Sequence, residues 1–195
     1  MCKKIILASS SPYRKQLLQK IITKFTTFSP EINETPYENE NPMELVHRLA
    51  IAKAKKTLAS TKAENCLIIA SDQVAIFKNE IIGKPHTVEN AIKQLQKFSG
   101  NKIEFLTSLS VLDSTNLHQE TIVEKYSVYF KTLSNSEIKN YINKENPLDC
   151  AGSFKSEGLG ILLFKKLEGK DPNTLIGLPL ITLNQMLEKF NYHIL

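Results

Sequence analysis

The chain has no tryptophan, three cysteines and seven glycines among its 195 residues. Cys2, Cys66 and Cys150 are odd in number and far apart, which fits neither a disulfide framework nor the paired ligand spacing of a zinc site. A reducing, cytoplasmic setting is expected. No apolar run approaches the ~20 residues that span a bilayer. The opening Met-Cys-Lys-Lys-Ile-Ile-Leu holds too short an apolar stretch for a signal peptide and reads as a core strand. The four histidines show no ligand spacing. Arg-rich runs and the interleaving of aromatic and basic residues that marks single-strand binding are also missing, so nucleic acid is not an expected partner. Repeats, low-complexity tracts and a clear linker are absent. A formal charge of +5, from 25 basic and 20 acidic residues, suits an anionic ligand but is ordinary for a soluble protein.

At 42% hydrophobic, the chain can bury a real core as one domain over residues 1–195 or as two small lobes. Strands are predicted at Lys4–Ala8, Phe25–Ser29 and Cys66–Ser71, and helices at Pro12–Lys20 and from Pro42 to about Leu58. Ser11 before Pro12, and Asn41-Pro42 with Glu44, are helix-start signals. Lys78-Asn79 reads as a turn, Thr87 as the cap of a helix to Phe98, and Ser134 with Glu137 as a capping box. Two long strand-like runs lie between, at Lys102–Leu112 and Thr121–Lys131, a strand-rich segment follows at Leu159–Leu167, and a helix closes the chain over Leu178–Phe190. Early alternation of strand and helix followed by paired strands predicts an α/β protein with a mixed sheet.

The most informative stretch is Leu7-Ala8-Ser9-Ser10-Ser11-Pro12-Tyr13-Arg14-Lys15. Strand, hydroxyl loop and helix N-terminus converge free N–H groups and a positive dipole end on one point, a seat for an anion. Arg14 adds a planar fork suited to phosphate. With no Gly-x-Ser-x-Gly elbow, the serines read as phosphate ligands or caps rather than nucleophiles. Asp72 directly follows the apolar run Leu67–Ala70, where open α/β sheets place ligand groups, although the same position suits a turn aspartate. Lys84 sits between Gly83 and Pro85, in a loop that allows close backbone approach and is stiffened on one side. Of Lys53, Lys55 and Lys56, one reads as functional and two as surface charges. Glu34 and Glu157 lie in polar loops, and alone each is a surface acid. Cys150 could be a reactive thiol but reads as a small buried cysteine.

Together these pieces resemble the Maf family of nucleoside triphosphate pyrophosphatases. The resemblance rests on Leu7–Arg14, Glu31–Glu34, Leu49–Ala54 with Lys53, Ser71-Asp72-Gln73, Gly83-Lys84-Pro85 and Pro147–Gly160, in order along nearly the whole chain. The wording of Cys150–Gly158 and Glu168–Leu180 is similar to the branch that acts on 7-methyl-GTP. The branch acting on dTTP and UTP typically carries Thr after the catalytic Asp, Gln at the position of Glu157 and a basic residue at that of Tyr13. This chain has Gln73, Glu157 and Tyr13.

The resemblance implies an elongated mixed-sheet α/β fold of the Maf/ITPase-like type with a central cleft. It implies a divalent cation, Mg2+ or Mn2+, and cleavage of a nucleoside triphosphate to monophosphate and pyrophosphate. Asp72 would be the catalytic residue, as general base or as holder of the cation, and both roles stay open. Ser9, Arg14, Lys53 and Lys84 would bind phosphate, and Glu34 would join Asp72 at the metal. Tyr13, Gln73 and Glu157 would set specificity: methylation at the 7-position leaves guanine cationic, which favours an aromatic face and a carboxylate. The expected partner is a small nucleotide, with no membrane and no nucleic acid; a homodimer is compatible with the sequence. Competing readings are a pyrophosphatase for dTTP, UTP or another modified nucleotide, and a non-catalytic nucleotide-binding regulator of cell division.

Overall fold

The fold is that of a computed structural model, which describes residues 3–195; Cys2 and the start of the chain lie outside the described residues. In chain order the elements are β1 (Lys4–Ala8), α1 (Pro12–Gln19), β2 (Thr26–Phe28), α2 (Pro42–Thr61), β3 (Cys66–Phe77), β4 (Glu80–Ile82) and α3 (Val88–Phe98). There follow β5 (Lys102–Asp113), β6 (Gln119–Phe130), α4 (Asn135–Glu145), β7 (Phe164–Glu168), α5 (Pro172–Ile176) and α6 (Leu180–Lys189). The helix-start signals hold: Asn41 and Ser134 each close a complete capping box, and Ser11 and Thr87 cap α1 and α3.

The seven strands form one mixed sheet in the order β2-β1-β3-β5-β6-β7, with β4 paired to β3. β1 runs parallel to β2 and β3, whereas β3–β4 and β6–β7 are antiparallel. This is the mixed α/β architecture expected from the sequence. The chain divides into two compact units, the first Met1–Gln73, Thr107–Glu124 and Asp171–Leu195, the second Val74–Leu106 and Lys125–Lys170.

In the first unit the sheet is covered on both faces, which explains why its strands read as continuous apolar runs. Side chains alternate between faces with a period of two. Ile5, Leu7, Leu67 and Ile69 pack in one cluster with Leu17, Leu18, Leu183 and Leu187 of α1 and α6. Ile6, Ala8, Ile68 and Ala70 join Ala54 of α2 in the opposite cluster. The second unit is built round phenylalanines. Phe98, Phe105, Phe130, Phe154 and Phe164 are linked by ring contacts with centroids 4.9–5.6 Å apart, mostly edge-to-face, the arrangement that the ring quadrupole favours. Gly152, at φ +77°, brings the backbone against Phe105 and Phe154, where a Cβ would lie 3.3–3.4 Å from the rings.

Three local expectations change. Leu159–Leu163 is a 3-10 segment, and the strand starts only at Phe164. The cause is a tight local turn: the Gly160 N–H donates to the Lys155 carbonyl at 3.1 Å, and a Cβ at Gly160 would lie 2.2 Å from that oxygen, so the chain turns at the glycine before extending. α5 is an additional helix, five residues long, too short to leave a periodic signal. α2 continues past Leu58 to Thr61 and stops where Lys62 turns left-handed. No helix among the described residues is long and apolar enough to cross a membrane.

Candidate active site

The N-terminus of α1 is assembled from its own hydroxyls. The Ser11 N–H donates to Ser9 Oγ at 3.1 Å and the Arg14 N–H to Ser11 Oγ at 3.4 Å, while Pro12 begins the helix without a donor to satisfy. Ser9 is buried and Tyr13 is half-buried on the first turn. Arg14 is clamped from across the first unit: Nε donates to the Gly177 carbonyl at 3.0 Å and Nη1 to the Ser71 carbonyl at 2.8 Å. Ser71 Oγ donates to the same Gly177 oxygen at 2.8 Å. Two of the five guanidinium N–H groups are thereby fixed on backbone, which orients the rest. Burial pushes the Arg14 pKa down, and the negative charges of Asp72 and Glu34 oppose that shift.

Gly177 is the residue that sequence reasoning carried only as part of a family motif. At φ +120° it occupies backbone space that L side chains avoid, and a Cβ there would stand 3.2 Å from Arg14 Nε. Its signal was present as Asp171-Pro172 followed by Gly177, the start and stop of a short helix.

The centre of the site is a buried cation between two carboxylates. α2 turns Leu49, Ala50, Lys53, Ala54 and Thr57 inward, so Lys53 lies along the packed face with only 9% of its surface exposed. Its Nζ meets Asp72 Oδ1 at 2.6 Å and Glu34 Oε1 at 2.8 Å. Asp72 is itself 7% exposed. The expected end of a strand at this aspartate is corrected: Asp72 lies in the interior of the twelve-residue β3. Its backbone is tied by Ser108 of β5, whose Oγ accepts from the Asp72 N–H at 3.0 Å and lies 3.2 Å from the Asp72 carbonyl. The lysine neutralises the carboxylate, so the chain remains strand where a lone polar pair suggested a break.

Gln73, next on β3, donates its amide to Thr107 Oγ1 and the Thr174 carbonyl, each at 2.8 Å, and to the Leu175 carbonyl at 3.2 Å. Thr174 Oγ1 continues the chain of hydrogen bonds to Glu124 at 2.8 Å, and Thr182 Oγ1 donates to the other Glu124 oxygen. These bonds brace α5, whose C-terminal Gly177 holds Arg14.

Lys84 and Glu157 belong to the second unit, and both are exposed. The backbone round Lys84 is pinned by α3, with Gln94 donating to the Gly83 carbonyl at 3.2 Å and Asn90 to that of Pro85 at 3.1 Å. The Glu157 loop is wrapped on Glu145: Lys155 Nζ donates to the Glu145 carbonyl, and the Leu159 N–H to its carboxylate, each at 2.8 Å. Gly158 lies so close that a Cβ would be 2.7 Å from that carboxylate. The structure therefore brings Ser9, Arg14, Lys53, Asp72, Gln73 and Glu34 into one unit, and presents Lys84 and Glu157 on stiffened loops of the other.

The family described as "Maf-like protein" matches residues 4–190. The chain belongs to the Maf family. This Maf chain is 53% identical over 195 residues to a protein of Aliivibrio fischeri named 7-methyl-GTP pyrophosphatase, covering 100% of both. It is 52% identical over 191 residues to one of the same name from Pseudoalteromonas translucida, covering 98% of this chain and 94% of that one. A solved structure of the Staphylococcus aureus Ham1 protein superposes with a TM-score of 0.54 at 17% identity, over 96% of this chain and 100% of the other, a likeness of fold.

The donor set at Glu34 and Asp72 fits a hard divalent cation. One ammonium already touches an oxygen of each carboxylate, so both can face one cation. Among the described residues no group of three or more His, Cys, Asp or Glu side chains could hold a metal unaided. Two carboxylates completed by substrate phosphates are, however, a usual magnesium arrangement.

Proposed function

We propose that this Maf protein hydrolyses 7-methyl-GTP to 7-methyl-GMP and pyrophosphate. The observation that carries the reading is the buried Lys53–Asp72 pair, set in the same unit as the clamped Arg14 and the capped N-terminus of α1. Phosphoryl transfer asks a protein mainly to position groups and to neutralise spreading charge. Ser9, at the capped start of α1, meets the phosphate tail, and Arg14 and Lys53 oppose its charge. Lys53 occupies Asp72 Oδ1, leaving Oδ2 either to take the proton of the attacking water or to hold the cation that activates it. Mg2+ or Mn2+ held by Glu34 and Asp72 would neutralise phosphate charge and lower the pKa of bound water. The substrate base is supported by the names of the relatives at 52–53% identity and by the presence of Glu157 and Tyr13.

A panel of 7-methyl-GTP, GTP, dTTP and UTP with Mg2+ or Mn2+, scored for pyrophosphate against orthophosphate, tests the proposal. Pyrophosphate release with the highest kcat/KM for 7-methyl-GTP is expected. A preference for dTTP or UTP would move the chain to the other branch, and binding without turnover would favour a regulator. Within the same panel, Glu157→Gln should lower the ratio of kcat/KM for 7-methyl-GTP over GTP about tenfold, about 1.4 kcal/mol, since it removes the negative charge that favours the cationic 7-methylguanine over neutral guanine. Equal ratios for variant and parent would remove Glu157 from base reading.

A further inference from the structure

Between β2 and α2 the chain contains no helix or strand, and Glu34 is exposed in this stretch, with 59% of its side chain open to solvent. Yet its carboxylate meets Lys53 at 2.8 Å. An exposed, irregular loop does not hold a side chain in register unless something ties it down. Arg48, in the second turn of α2, supplies the tie. Its Nε donates to Glu40 Oε1 at 2.6 Å and its Nη2 to Glu40 Oε2 at 2.7 Å, a two-pronged pairing. Nη2 also donates to the Thr35 carbonyl at 3.1 Å, on the residue next to Glu34. The guanidinium lies 3.9 Å from the centroid of the Tyr37 ring, and the Tyr37 N–H donates to Glu40 Oε2 at 3.0 Å. One planar cation thus grips Thr35, Tyr37 and Glu40, three points of the loop immediately after Glu34. A lysine has neither the fork nor the flat face for this.

An isolated surface ion pair contributes little to stability, and the Arg48–Glu40 contact taken alone would be dismissed on that ground. The combination of fork, carbonyl and ring on one residue is different in kind, because it fixes geometry instead of adding charge. The Arg48 hydrogen bonds hold the Glu40 carboxyl well down, at about 2, so the pairing persists throughout the neutral and mildly acidic range.

We propose that Arg48 is a positioning residue that, by clamping the 35–40 loop to α2, holds the Glu34 carboxylate at Lys53 and Asp72 ready for a divalent cation. This rests on the reading of Glu34 as a cation-holding carboxylate. The test is Mn2+ affinity in the presence of a fixed, saturating concentration of a non-hydrolysable α,β-methylene analogue of 7-methyl-GTP, measured by electron paramagnetic resonance of free Mn2+ against a protein-free control, for the parent, Arg48→Ala, Glu34→Gln and the double variant. Residues that orient metal ligands typically govern affinity by about 10- to 100-fold, and a loss of about tenfold is expected for Arg48→Ala. Added to Glu34→Gln, the same change should have no further effect, because the clamp then has no ligand to position. Arg48→Lys should behave like Arg48→Ala. Hydrogen exchange should show lost protection at residues 31–40, with β1, β3 and β5 unchanged.

Equal losses in the Arg48→Ala and double-variant steps would identify a general structural effect and overturn the proposal. So would parent-like Mn2+ affinity in Arg48→Ala. Absence of Mn2+ binding by the parent beyond that of the nucleotide analogue alone would sink the reading of Glu34, and the clamp's purpose with it, while leaving pyrophosphate release by the nucleotide panel as a separate result.

Discussion

Asp72→Asn should lower kcat for pyrophosphate release by about 10^2- to 10^4-fold, the range that a positioned proton acceptor contributes, with little change in KM. The substitution preserves volume, and the amide oxygen can still accept from Lys53, so packing round β3 persists. What disappears is the negative charge and the basic oxygen. Steady-state kinetics on 7-methyl-GTP, with circular dichroism to verify the fold, measures the effect. Activity retained within about threefold would mean that proton transfer and cation holding both lie elsewhere, contrary to a general-base contribution of the size given above.

Lys53→Met is expected to damage both stability and activity. Methionine replaces most of the stem volume but leaves the Asp72 carboxylate buried without its counter-charge. Breaking a buried ion pair by removing one partner typically costs about 3–5 kcal/mol. The Asp72 contact dominates this cost, because Glu34 is largely exposed and its share of the bridge is screened by water. Urea unfolding followed by circular dichroism should show a lower midpoint with an unchanged slope, the mark of altered stability without altered compactness. Adding Asp72→Asn to Lys53→Met should restore much of the stability, since no buried charge is then left alone, while hydrolysis stays lost. If the double variant is as unstable as Lys53→Met, the lysine serves packing and the pair is incidental.

The two experiments probe different consequences of one contact. Asp72 kept neutral in shape but stripped of charge tests chemistry; Lys53 removed from a charged Asp72 tests the cost of the arrangement. Groups that would be unfavourable elsewhere gather at active sites, which is one ground for proposing this pair as the centre of the site. The ammonium that lets a carboxylate stay in the middle of β3 also places positive charge where a phosphate tail is proposed to arrive.

Much of the local architecture was legible in the residues because its causes lie within a few positions. Asn41-Pro42-Met43-Glu44 and Ser134 with Glu137 contain both halves of their capping boxes. Lys78 and Asn79, both with positive φ, form the tight β3–β4 turn that short hairpins require. The alternating faces of β1 and β3 follow from their composition. Asp72 and Lys84 also stood out locally, as polar residues beside apolar or rigid backbone. α5 and the 3-10 segment at Leu159–Leu163 did not, because five residues are too few for a periodic pattern to show, and the place of α5 rests on the bonds from Gln73 to the carbonyls of Thr174 and Leu175.

By itself the sequence determined the mixed α/β class, the places where helices start, and the polar residue types available to grip a phosphorylated ligand. Only the tertiary structure decided that Lys53 lies between Glu34 and Asp72, that Arg14 is held by Gly177 163 positions away, and that Arg48 ties down the Glu34 loop. The physical reason is distance along the chain. Caps and turns are satisfied by neighbours, whereas a buried charge is satisfied by whichever opposite charge the packed fold brings to it, and many pairings are compatible with one string of residues until the strands and helices have docked.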